Sequence, residues 1–158
     1  MRRRGQLRRV SFGSTAAVVT SIGLVVGFAL TSSARATLIA SLLIVGLADN
    51  LTDSLSIHLY QESEGLESHE AFVSTVTNFA TRLAITATFV ALAAFLAGWA
   101  LVAVATVWGL VVLGAMTISL AHQRHASVGR ELVRHFVVAG VVIALSLLIG
   151  SVVSGSAT

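Results

Sequence analysis

Residues 38–64 read LIASLLIVGLADNLTDSLSIHLYQESE, and the fold turns on where that run is placed. Its first half is almost wholly apolar. Asp49 and Asp53 then stand four residues apart, which on a helix puts them on one face. Ile57 and Tyr60 continue roughly the same stripe. In a soluble helix these acids would be ordinary. In a helix that crosses a bilayer both lie at membrane depth, where carboxylates are costly and mark functional sites.

Composition decides between the two. The chain is 56% hydrophobic and 11% charged, with a mean hydropathy of +0.92. Soluble domains carry about 25% charged residues. At roughly 20 residues per span, 158 residues hold four or five membrane helices and short loops, as one domain over 1–158. There is no cysteine and no proline, so no disulfide framework, no thiolate metal site and no proline kink. The net charge of +3 comes from arginines at the ends of apolar runs. That placement speaks of topology, not nucleic acid.

Outward from the opening stretch, the apolar runs predict an all-α, polytopic transmembrane helix bundle of about five spans, near 11–31, 37–60, 73–97, 101–121 and 136–153. The third and fourth come from one uncharged run, Leu83 to Ala121. As a single helix it would be about 58 Å long, nearly twice the hydrocarbon core. It must reverse, and Gly98-Trp99 is the expected turn. The first span carries Gly13, Ala17, Gly23 and Gly27, small residues that permit close helix packing, within one chain or between two. A competing reading takes the arginine-rich start and Ala34-Arg35-Ala36 as a cleaved secretory signal, though the apolar stretch exceeds a signal core.

Five spans put the N-terminus, the second loop and the fourth loop on one side. Arginine is concentrated in MRRRGQLRR and in HQRHASVGRELVRH, the basic loop at 122–135. The opposite side has only Arg35. The N-terminus is therefore expected in the cytoplasm and the C-terminus outside. The protein is expected to be multi-pass in the plasma membrane of a prokaryote, with the lipid bilayer as its surroundings and no nucleic-acid partner.

Candidate site residues follow. Asp49 and Asp53 can offer oxygen ligands to a hard divalent cation. Arg82 enters span three about as far as Asp53 enters span two, so an Asp53–Arg82 ion pair is expected, with Asp49 deeper and without a charged partner. His58 and Glu62 lie at the inner mouth, a donor set suited to a transition metal. Glu64, Glu67 and Glu70 repeat every three residues and would form one helical face that collects cations, or a solvated face. His122 and His125 read as interfacial anchors. No base–nucleophile pair can be assembled, so an enzyme is not expected.

The stretches SFGS…AAVVTSIGLVVGFAL and LIASLLIVGLADNLTDSLSIHLYQESE resemble the first two helices of the vacuolar iron transporter family. WGLVVLGAMTISLAHQRH…LVRHFVVAGVVIALSLLIGSVVS resembles its last two. The resemblance implies a homodimeric, proton-coupled carrier that exports ferrous iron or manganese from the cytosol. The divalent metal is its substrate, and no cofactor is bound permanently. Asp49 matches the family's acid on helix two. The pattern departs elsewhere: Ile57 stands at the family's methionine, Thr15-Ala16-Ala17 at its Asn-Asp-Gly, and Gln61 at a glutamate. The alternative is a divergent protein of the same fold that moves another cation or serves as an interaction subunit.

Overall fold

The structure, a computed structural model, describes residues 2–31, 34–65 and 67–156, with side chains from Ser14 onward. Five helices follow one another: α1 (Arg2–Ala29), α2 (Arg35–Ser63), α3 (Ser68–Phe95), α4 (Gly98–Arg124) and α5 (Val128–Ser156). The described residues contain no strand. Four of the helices, α2 to α5, are long and apolar enough to cross a membrane. The described apolar part of α1, Ser14–Ala29, is shorter, and the start of the expected first span lies outside the described side chains.

The helices outrun the expected spans at the arginine-rich end. α2 continues to Ser63, α3 opens at Ser68, α4 continues to Arg124 and α5 opens at Val128. The basic loop expected over 122–135 thus shrinks to a turn at 125–127, closed by His125 in the left-handed region at φ 53°. The acidic connection also shrinks, to 64–67, with Gly65 at φ 74°. That glycine breaks the expected face of glutamates. Glu64 caps the end of α2, Glu67 precedes α3, and Glu70 lies in the first turn of α3. Helix continues on both sides because polar backbone needs its hydrogen bonds wherever water is scarce. At the other end the chain reverses at Leu96-Ala97, with Gly98 at φ 55°. There Arg35 Nη1 donates to the Ala94 carbonyl at 3.2 Å, satisfying an orphan acceptor at the end of α3.

α1 is the hub and touches all four other helices. The rest form an arc around it, α2 against α3, α3 against α4 and α4 against α5, and α2 does not reach α5. The core is built on this hub. Val18, Ile22, Val25 and Val26 are essentially inaccessible and meet Leu42, Phe89, Ala93, Leu101, Ala105 and Leu113. Close approaches fall at glycines. A Cβ on Gly150 would lie 2.6 Å from the Gly27 carbonyl oxygen, and one on Gly46 would lie 2.6 Å from Thr86 Cγ2. Gly23 and Gly27, half of the small-residue stripe of α1, therefore face α5 within the chain.

The outside is apolar. Leu43, Ile44, Leu47, Leu51, Leu55 and Leu59 of α2 are exposed, as are Val137, Val141, Leu145, Leu148, Ile149 and Val152 of α5. A surface of this kind is stable only where the surrounding solvent is itself apolar. The molecule fits a multi-pass integral membrane protein.

Candidate functional site

The polar side chains of α3 recur at intervals of four: Ser74, Asn78, Arg82 and Thr86, all buried. That spacing lays them along one stripe. The facing side of α2 carries Asn50, Ser54 and Gln61, also buried. The two helices meet along a seam that is polar over half its length.

Arg82 is the centre of the seam. Its side chain is 1% exposed. Nη2 lies 2.6 Å from Asp49 Oδ2, and Nη1 is bonded to Asp53 Oδ2. One guanidinium therefore gathers both aspartates, a geometry its forked donors are suited to. The Asp53–Arg82 pair stands where depth matching placed it. The expectation that Asp49 lacks a charged partner does not hold. Because α2 and α3 extend past their apolar runs, Arg82 is the fifteenth of 28 residues in α3 and Asp49 the fifteenth of 29 in α2. Both sit at the middle of their helices.

The aspartates are not enclosed. Their side chains are 39% and 42% exposed. A small cavity of about 10 Å³ borders Asp49 and Arg82, lined also by Ser21, Thr20, Gly46 and Thr86. It has room for about one water molecule.

Below the cluster, toward the arginine-rich end, the seam is tied by amides. Asn50 Nδ2 donates to the Phe79 carbonyl at 2.8 Å. Ser54 Oγ lies 3.5 Å from Asn50 Oδ1. Gln61 Nε2 donates to Ser74 Oγ at 3.0 Å. At the mouth His58 Nε2 lies 3.4 Å from Glu62 Oε1, and Nδ1 lies 3.4 Å from Thr75 Oγ1.

The candidate ligands fall into separate places. Asp49 and Asp53 are with Arg82; His58 is with Glu62 a turn or more nearer the end; Glu64, Glu67 and Glu70 are exposed around the turn. No group of three His, Asp or Glu side chains that could hold a metal ion forms among the described residues. His122 hydrogen-bonds the Ile118 carbonyl at 2.8 Å and His125 ends α4, so each serves its own helix terminus. Asn50, Ser54, Ser74 and Asn78 were not singled out in the sequence, although the four-residue spacing on α3 was there to find. Compared with known protein families, curated proteins and solved structures, the chain has no match.

Proposed function

We propose that the chain is a proton-linked membrane carrier of cations, built on a scaffold like that of the vacuolar iron transporter family, which its sequence resembles. The observation that carries this reading is one buried arginine at the middle of α3 holding two half-exposed aspartates of α2, Asp49 at mid-helix and Asp53 one turn on. Two carboxylates and one guanidinium sum to a formal charge of −1. An uncompensated charge at membrane depth is expensive. One positive charge entering the cluster balances it, and that charge is the cargo or the coupling proton. A divalent ion would overshoot by one, so iron or manganese would have to displace Arg82 from a carboxylate as it binds. The direction implied by the family resemblance is export from the cytosol.

Proteoliposomes holding the protein test the reading directly. A pH gradient should drive uptake of a cation, measured in parallel for manganese, ferrous iron, sodium and potassium. Asp49→Asn and Asp53→Asn should each abolish it. Equal flux from wild type and both variants would sink the proposal.

A second reading is favoured by the scattered ligand set: a protein of the same scaffold that moves no divalent metal. Micromolar manganese or iron binding by the purified protein, lost in Asp49→Asn, would count against it. The half-exposed aspartates also support a homodimer, because a second copy laid along the edge of α2 would keep lipid from them. Single cysteines at Thr52 and Ser56, exposed on that edge, should then cross-link between copies, and one at Val141 on α5 should not.

A further inference from the structure

Every buried polar or charged side chain among the described residues lies in one half of the bundle or at its middle. Gln61 and Ser74 are nearest the arginine-rich end, then Ser14, Ser54, Asn78 and Thr117, then Asn50, Arg82, Thr86 and Ser21. Beyond Thr86 the buried residues are apolar, among them Val25, Leu38, Leu42, Phe89, Ala93 and Leu101. The levels are fixed by contacts. Gly109 packs on Ile22 and Phe89. Two turns from there toward the arginine-rich end come Thr117 on α4, Ser14 on α1 and, a turn further along α3, Asn78.

Asn78 is the anomaly. It is 1% exposed, and neither its Nδ2 nor its Oδ1 has a hydrogen-bond partner. Gln61 Oε1, nearer the mouth, is also buried and unpartnered. An amide has two donors and an acceptor to satisfy, and buried polar groups without a protein partner are met by water. A leucine at 78 would fill the same space dry. The cavity beside Asp49 and Arg82, at the deep end of the series, is the size of one water.

We propose that this series is a hydrated half-pathway. Water enters at Gln61 and Ser74, passes Asn78 and Ser54, and reaches the Asp49–Arg82–Asp53 cluster. The apolar half closes the route on the far side. Through this water the cluster exchanges protons with the arginine-rich face. The inference concerns hydration, so it stands or falls separately from what the protein carries.

The chain has no cysteine, which allows a direct test in membrane vesicles of both orientations. Ser74→Cys and Ser54→Cys are near-isosteric changes. A charged, membrane-impermeant methanethiosulfonate reagent reacts with a thiolate, which forms only where water reaches. Applied from the arginine-rich face, it should modify both cysteines at least about tenfold faster than a cysteine at Ala93, buried in the apolar half. Adding Asn78→Leu should slow Ser54→Cys to the rate of the Ala93 control and leave Ser74→Cys, nearer the mouth, unchanged. The proposal is overturned if Ser54→Cys is as unreactive as the Ala93 control, or if Asn78→Leu leaves its rate unaltered. Elution as a single species from size exclusion certifies that each variant is folded before its rate is read.

Discussion

At the scale of single residues, Arg82 is shared by two acids, and the consequence is non-additive. Asp49→Asn or Asp53→Asn alone leaves one ion pair and brings the cluster to formal neutrality. Each should change stability by less than about 1 kcal/mol, or raise it. The double variant leaves a buried guanidinium without a carboxylate and should cost about 3–5 kcal/mol. Arg82→Leu should also destabilise, but by less, since the two carboxylates that lose their shared cation are half-exposed. Thermal unfolding in detergent measures all four, and additive effects of the two single changes would show that Arg82 is not shared. Part of this cluster was legible. Equal depth on neighbouring spans pointed to Asp53 and Arg82. Asp49 shares a helical face with Asp53, so its pairing with the same arginine was within reach too; the expectation that it lacks a charged partner weighed depth and left out the shared face. The Ser74, Asn78, Arg82, Thr86 stripe could have been read, but each residue is diluted by apolar neighbours in any window average.

At the scale of elements, close packing is set by α1. Gly150→Ala would drive a methyl group onto the Gly27 carbonyl oxygen, where no side chain can yield. It should separate α1 from α5 and cost about 1–3 kcal/mol. Gly140 lies on the same helix with open space around its Cβ position. Gly140→Ala should stabilise by about 0.5–1 kcal/mol through helix propensity alone. Unfolding temperatures of the two variants decide the matter, and equal shifts would mean that α1 and α5 are not packed as described. The five helices themselves were readable, because an uncharged run of 39 residues must fold back on itself and glycine marks the reversal. Their ends were not. Hydropathy locates the apolar part of a helix, whereas Ser63, Ser68, Arg124 and Val128 are set by where the backbone stops bonding to itself. The missing turn of glutamates follows from one glycine at 65, whose conformation the charge pattern does not reveal.

At the scale of the whole molecule, packing order and charge together fix a topology that can be measured. Alternating short turns place the 64–67 and 125–127 connections at the end where the chain starts, and the 96–97 reversal at the other. Arginine is concentrated at the first end: Arg124, Arg130 and Arg134 flank one turn, and five more precede Val10. The far end has Arg35, and its side chain is occupied with the Ala94 carbonyl. By the rule that arginine-rich ends stay inside, the first end is expected in the cytoplasm, and labelling tests that. Cysteines introduced at Ser68 and Ser127, exposed beside the two turns at the arginine-rich end, should react with an impermeant reagent only in inside-out vesicles. Cysteines at Trp99 and Ser156, exposed at the opposite end, should react only in right-side-out vesicles. The contrast holds for the alternation of α2 to α5 by itself; whether α1 crosses with them decides only on which side α1 starts. Labelling of Ser68 and Ser127 from opposite faces would refute the packing order. Labelling of both from outside would invert the route proposed through Gln61 and Asn78, and with it the direction from which the Arg82 cluster is supplied.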